Sequence, residues 1–294
     1  MSSKKPDKTD WGLRFFRDVL GLEDLHFGLF DDEPHTVEGA RKAQGRYTDE
    51  LVGMIPEGVS TVLDVGCGTG TTAFKLKEKG YQVECVNPDA YQESIFHEKF
   101  QEKFHENFYE KSKEKPGGSI PFHRTTFELF QSDKKFDLVL MSESSQYIDT
   151  GEMVKNLDRV LVPGGWFLLA DYFRKTDIPF YRTCKIKDVF MKKITAGGYE
   201  LTETKDITEG VIPNLTLGME IYEKYALPVI TMGRDYLKSA FPKTSGIVMK
   251  VFAGKFKKIS YYVFEHTPEK LDAKKFRDNM EYLFQLYRKK TEER

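Results

Sequence analysis

The segment that most restricts the fold lies between residues 61 and 89, TVLDVGCGTGTTAFKLKEKGYQVECVNPD. TVLDV is β-branched and apolar, the pattern of a strand. GCGTG punctuates it, TTAFKLKEKG has helical spacing closed by Gly80, and YQVECV is a second strand stopped by Pro88. About 20 residues separate the glycine loop from the end of the second strand, the spacing of a βαβ nucleotide-binding unit.

The flanking chain keeps that alternation. SIPFHRT and KFDLVLMSES (135–144) read as third and fourth strands, the latter apolar enough to be buried on both faces. Asp149 and Glu152 form a capping-box-like pair, opening a helix with Met153, Val154, Leu157, Val160 and Leu161 on one face. VPGG leads into a fifth strand, WFLLADYF. A helix over 185–196, a strand YELTET (199–204) and a last strand near ISYYVFEH (259–266) follow, and 269–290 has the spacing of an amphipathic helix. The expected fold is α/β: a Rossmann-like, seven-stranded, mostly parallel sheet with helices on both faces. It forms one domain with a polar tail (1–10), an N-terminal helical lid (11–55), a core (56–204), a helical insertion (205–257) and the last strand and helix (258–294).

Three chemistries compete for the glycine loop. A phosphate-binding P-loop requires Lys and then Ser or Thr after its last glycine, and Gly70 is followed by neither pair. A dinucleotide loop requires a third glycine or an alanine where Thr71 stands. What remains is an acid–x–Gly–x–Gly–x–Gly pattern at a strand end: Asp64, Gly66, Gly68, Gly70. Asn87 ends the second strand, where such proteins usually place a carboxylate on the ribose hydroxyls.

VLDVGCGTG, FDLVLMSES and RVLVPGGWFLLAD, in this order and spacing, resemble the motifs of class I S-adenosylmethionine (SAM)-dependent methyltransferases over roughly 61–171. DLHFGLF (24–30) resembles the N-terminal aromatic-Gly motif of the small-molecule branch, the cyclopropane-synthase-like and natural-product methyltransferases. The resemblance implies a cofactor site drawn from Asp64, Gly66, Cys67, Gly68, Gly70, Asn87 and Ser142, with Asp64 near the amino-acid end and Asn87 at the ribose. Glycines let the backbone approach a ligand, and the following helix N-terminus favours its carboxylate. Thr125 or Thr126 stands about where relatives carry an acid near the adenine.

Methyl transfer from a sulfonium needs an aligned nucleophile and excluded water, and a base only where the acceptor must lose a proton. Candidates for base or substrate anchor are Glu143 after the fourth strand, Asp171 at the end of the fifth, and His26. Phe27, Tyr147 and Tyr172 are candidate substrate contacts. A structural role remains open for each. The abundant Phe and Tyr suit an apolar or aromatic acceptor or a cationic amine.

Composition bounds the rest. Net charge is -1 and pI about 6.6, which makes no case for nucleic acid; Lys250, Lys255, Lys257 and Lys258 read as a solvated face. SESSQY matches no nucleic-acid methylase signature. Mean hydropathy of -0.51 and the lack of a long apolar run argue against membrane insertion. Three cysteines without ligand spacing fit a reducing cytoplasm and no metal. His97-Glu98 is followed by Gln101 where a zinc motif needs histidine, so Phe96, Phe100, Phe104 and Phe108 read as a packing stripe beside solvated His97 and His105. A monomer or homodimer is expected. Two alternatives stand beside the methyltransferase: a non-catalytic SAM-fold binding protein and a cyclopropane-synthase-like enzyme acting on acyl chains.

Overall fold

The computed structural model describes residues 14–22, 24, 26–105, 119–241 and 261–291. Its centre is a seven-stranded sheet: β1 (Thr61–Val65), β2 (Gln82–Val86), β3 (Phe122–His123), β4 (Phe136–Ser142), β5 (Leu161–Arg174), β6 (Tyr199–Asp206) and β7 (Met280–Lys289). The order is β3-β2-β1-β4-β5-β7-β6. The first five strands pair in parallel, and β7 enters antiparallel between β5 and β6. The order reverses between β1 and β4, so the crevice beyond their carboxyl ends is where such a sheet takes its ligand.

The strands alternate two cores. Val62, Leu138, Leu140, Leu168 and Phe284 face one side, with Tyr47 and Leu51 of α1 (Val37–Gly53), Phe74 of α2 (Thr71–Glu78) and Phe96 of α3 (Ala90–His105). Leu63, Val65, Val139, Phe167 and Leu169 face the other, with Met153 and Leu157 of α4 (Thr150–Val160) and Phe190 and Ile194 of α5 (Lys187–Ala196). Asp149 caps α4 as expected, accepting from the backbone N–H of Gly151 and Glu152. The phenylalanine stripe packs on Phe74, with Phe96, Phe100 and Phe104 at ring-centroid distances of 4.9, 6.0 and 5.9 Å, while His97 is exposed. Phe108, the His105 side chain, the polar tail and the lysine cluster lie outside the described residues.

Two expectations need correction. The last strand is not 259–266: Tyr262–His266 is a helical turn. The strand is Met280–Lys289, inside the stretch whose spacing suggested a helix; the helix there, α8, covers only Ala273–Asn279. Flanked by β5 and β6 and buried on both faces, β7 has apolar residues at successive positions rather than in alternation, and such a run fits either period. The N-terminal lid is also less helical than its pattern. Apart from a π-helical turn at Phe15–Val19 and α1, residues 26–30 form neither helix nor strand.

Between β6 and β7 the insertion is helical where described: α6 (Thr208–Ile221), a π-helical turn (Tyr222–Ala226) and α7 (Leu227–Ala240). Among the described residues no helix is long and apolar enough to cross a membrane.

Candidate active site

The loop after β1 is shaped by three left-handed glycines, each doing a different job. Gly66 (φ 79°) lies so close to the β4 loop that a Cβ there would come within 2.3 Å of the Ser144 Cβ. Gly70 (φ 95°) caps α2, and its Cβ would strike the rings of Phe96 and Phe74. Gly68 (φ 58°) is different: a Cβ there would meet nothing within 4 Å. The loop therefore presents its open backbone at Gly68, just ahead of the α2 N-terminus.

Asp64 sits under that loop, 2% exposed, and its Oδ2 has no hydrogen-bond partner among the described residues. Burial pushes its carboxyl up to about 7. A buried carboxyl oxygen left unmatched costs about 1–3 kcal/mol, so it marks a place for a donor from outside the chain. Cys67 and Cys85 lie alongside as free, buried thiols, both pushed up by burial.

Asn87 is buried at the end of β2. Its Nδ2 donates to Gln92 Oε1 at 2.7 Å and its Oδ1 accepts from the Asp89 N–H at 3.0 Å. It thus shapes the turn into α3, and its side chain also meets the Cys67 thiol. Of the two threonines, Thr125 is half-buried and Thr126 exposed.

The most concentrated chemistry lies after β4. Glu143 is held at φ 51°, a left-handed conformation rare outside glycine and costing roughly 1–2 kcal/mol. Its Oε1 accepts from the Phe27 N–H at 2.9 Å and from the Tyr282 hydroxyl at 2.7 Å. Burial raises its pKa, against opposing pulls from His26 and the two donors. Tyr282 meets the Tyr47 hydroxyl at 2.8 Å, and Tyr47 meets Ser142 Oγ at 2.8 Å. With Tyr282 spending its one proton on Glu143, Tyr47 must donate to Tyr282 and Ser142 to Tyr47. Three hydroxyls in series thus point toward one carboxylate. Burial raises both phenols well above their usual range, so they stay neutral.

Next to this chain, Asp171 is 1% exposed, accepts from Ser145 Oγ at 2.6 Å and from the Tyr172 N–H at 2.9 Å, and is pushed by burial up to about 7. The Tyr172 hydroxyl accepts from Gln146 Nε2 at 2.8 Å, and its ring stacks on Phe27 at 6.2 Å. His26 is pinned: Nδ1 donates to the Phe27 carbonyl at 2.9 Å, Nε2 lies 3.4 Å from Thr48 Oγ1, and the ring stacks on Tyr47 at 4.2 Å. Asp24 lies 3.7 Å from Nε2.

The structure therefore gathers Glu143, Phe27, Tyr172, Asp171, His26 and Ser142 into one cluster, with Asp64 and the glycines on the adjoining strand end. Tyr147 is 81% exposed. Sequence reasoning missed Tyr47 and Tyr282, which lie in stretches read as helix; only the strand register of β7 brings Tyr282 opposite Tyr172. Cavities of about 460 and 430 Å³ open elsewhere, beside Arg46 and Arg277 and beside Thr71 and Lys99, and neither is lined by Asp64 or Glu143.

A parallel sheet with a glycine loop at its switch point, a buried unmatched acid beneath the loop and a strained carboxyl across the crevice define a small-ligand site of the doubly wound α/β type. Residues 63–169 match the family model described as a methyltransferase domain. Over that stretch the chain is similar to class I SAM-dependent methyltransferases. It is 30% identical over 191 residues to 27-O-demethylrifamycin SV methyltransferase of Amycolatopsis mediterranei, covering 58% of this chain and 61% of that one. It is 26% identical over 171 residues to sarcosine/dimethylglycine N-methyltransferase of Aphanothece halophytica, covering 56% of each. The chain thus spans about six tenths of the length of these relatives.

Among solved structures, the cyclase SpnF superposes with a TM-score of 0.65 at 15% identity, covering 95% of this chain and 94% of that one. The cyclopropane synthase MmaA2 from Mycobacterium tuberculosis does so with 0.64 at 17%, covering 94% and 93%. Identities this low establish the fold alone.

Proposed function

We propose that the chain is a SAM-dependent methyltransferase that moves a methyl group to a small-molecule acceptor in a lidded pocket, leaving S-adenosylhomocysteine. The observation that carries this reading is the buried Asp64 carboxyl with its unmatched Oδ2 beneath the open backbone of Gly68. An ammonium group fits that acid, and a carboxylate fits the N-terminus of α2; SAM's methionine end has both. When bound, the cofactor supplies a methyl group on a sulfonium. Asp64 would hold the amino group, and Gly66, Cys67, Gly68 and Gly70 the loop. Asn87 would offer its amide to the ribose diol, and Thr125 or Thr126 would lie by the adenine. Ser142 would line the cofactor's reactive end.

On the acceptor side, Glu143 has Oε2 left over after Oε1 has taken two donors. It can take a proton from a hydroxyl or anchor an amine. Asp171 stays beside it, held by Ser145 and the Tyr172 N–H, and His26 props the Phe27 carbonyl. Phe27 and Tyr172 exclude water from the acceptor, and Tyr147 would act only by swinging in from the surface. The relatives named for a rifamycin O-methylation and a sarcosine N-methylation leave aromatic or apolar acceptors and amines both open. No metal is required by this chemistry. Free thiols are consistent with a cytoplasmic protein, as monomer or homodimer.

A second reading has one observation behind it. The rings of Phe27, Tyr172, Phe276 and Tyr282 pack at centroid distances of 5.8 to 6.5 Å, which suits a plugged SAM-fold protein that binds without transferring. A screen with methyl-labelled SAM across amines, phenols, carboxylic acids and thiols separates the two. Label transferred to any class supports the methyltransferase, and cofactor binding without transfer to any of them supports the plugged protein.

A further inference from the structure

Four successive backbone amides of the N-terminal segment are bound by three different elements. Phe27 N–H goes to Glu143 Oε1 at 2.9 Å, Gly28 N–H to Asn214 Oδ1 at 2.8 Å, Leu29 N–H to the Ala43 carbonyl at 2.9 Å and Phe30 N–H to the Gly210 carbonyl at 2.8 Å. A segment outside helix and sheet has no ladder partner for these donors. Here α1, α6 and the β4 loop replace the missing neighbour.

Among the described residues, Asn214 is the one side chain that binds both the N–H and the carbonyl of a single residue of the segment. Besides accepting from the Gly28 N–H, its Nδ2 donates to the Gly28 carbonyl at 2.7 Å and to the Val211 carbonyl at 2.8 Å. The amide thereby mimics a β-ladder partner at a single residue, which only Asn or Gln can do with one planar group. Gly28 lets the segment lie tight on α1 on its other side: a Cβ there would lie 2.7 Å from the Ala43 Cβ. Pro213, inside α6, has no N–H to return to the Glu209 carbonyl, which loosens the helix beside the clamp. The adjoining Gly210 is pressed against Leu29, so the contact continues along the segment.

We propose that Asn214 is a positioning residue: by clamping Gly28 to α6 it aims the neighbouring Phe27 N–H at Glu143 and so sets the charge state of that carboxyl. This rests on the reading of Glu143 as the acceptor-side carboxyl, but the geometry exists without any ligand. The insertion helix and the N-terminal segment then act on the site as one body. The groups facing Glu143 are His26 from the segment, Tyr47 from α1, Tyr282 from β7, and Asp171 and Tyr172 from β5. None of them is touched by the Asn214 side chain, so a change at Asn214 reaches Glu143 through the Phe27 amide.

The test is the titration of the Glu143 carboxyl carbon by ¹³C NMR in the full chain without ligand, in wild type, Asn214→Ala and Asn214→Asp. Exchange of the Phe27 and Gly28 amides is followed in parallel. The expected result for Asn214→Ala is faster exchange at both amides, about tenfold for the loss of a hydrogen bond, and a Glu143 midpoint moved to higher pH. Asn214→Asp keeps the acceptor and loses the donor, so it falls between the two; it also serves if the alanine variant does not fold. Loss of Gly28 protection with the Glu143 midpoint unmoved in the folded variant overturns the proposal, because a merely structural clamp would do only that. Failure of wild type to bind S-adenosylhomocysteine would instead count against the cofactor reading and leave this titration interpretable.

Discussion

The Tyr282 hydroxyl donates to the Glu143 carboxylate across 2.7 Å, joining the antiparallel strand β7 to the strained residue after β4. Tyr282→Phe removes that donor, and Tyr47 is left to turn its proton back to Ser142 Oγ. A hydrogen bond to a charged group is worth about 1.5–3 kcal/mol net. The variant should therefore lose stability by roughly that amount at neutral pH and less in acid. The sign follows from the raised Glu143 pKa. The stability contribution of its protonated form is present at low pH and is lost as pH rises through the folded pKa, which the mutation moves further up. Thermal melts of the two proteins from mildly acid to neutral pH measure it, and parallel pH profiles would contradict it.

Asp64 makes a second pH prediction. Burial lifts it to about 7 from the ordinary carboxylate range, so the folded apo protein keeps a proton that the unfolded chain releases near pH 4. Apo stability from this group is complete below about pH 4 and declines as pH rises toward 7. Asp64→Asn should flatten that decline. Binding an ammonium-bearing ligand should release the proton, so calorimetry of S-adenosylhomocysteine near pH 6.5 in buffers of different ionisation enthalpy should show proton release in wild type and none from this site in the variant.

Two glycines of the same loop should fail in opposite ways. Gly66→Ala places a Cβ 2.3 Å from that of Ser144 at φ 79°, and should cost about 3 kcal/mol or more of stability. Gly68→Ala meets nothing and bears only the left-handed backbone penalty of roughly 1–2 kcal/mol. It should melt near wild type yet lose cofactor binding, because the methyl group fills the space the ligand needs. Melting temperature and ligand titration of both variants read this out directly.

Asn87→Ala should weaken S-adenosylhomocysteine binding by roughly 1–2 kcal/mol through lost hydrogen bonds. Part of that loss will come through the turn, since Asn87 Oδ1 holds the Asp89 N–H and Nδ2 holds Gln92. Asn87→Asp keeps the first bond, and a rotated Gln92 amide can donate where it accepted, so Asp should be tolerated. Equal losses in both variants would locate the ribose elsewhere.

What was legible beforehand was what is local. The glycine loop, Asp64, Asn87 and Glu143 are punctuation at strand ends, and each lies where its own few neighbours in sequence put it. Tyr282 was not legible, because β7 is buried on both faces and its apolar run suits either helix or strand. Tyr47 looked like any buried helix aromatic; its role comes from a hydroxyl contact to a strand 235 positions away. The Asn214 clamp spans 186 positions and leaves no periodic trace. In this chain, the half of the site nearest the βαβ unit could be read from spacing, and the half built by the antiparallel strand and the insertion needed coordinates.

The most direct test of the central claim is calorimetry of the purified chain with SAM and S-adenosylhomocysteine. Saturable binding to one site, at a Kd well below 1 mM (about -4 kcal/mol), and its loss in Gly68→Ala are the predicted results. No heat and no protection from either ligand at millimolar concentration would contradict the account.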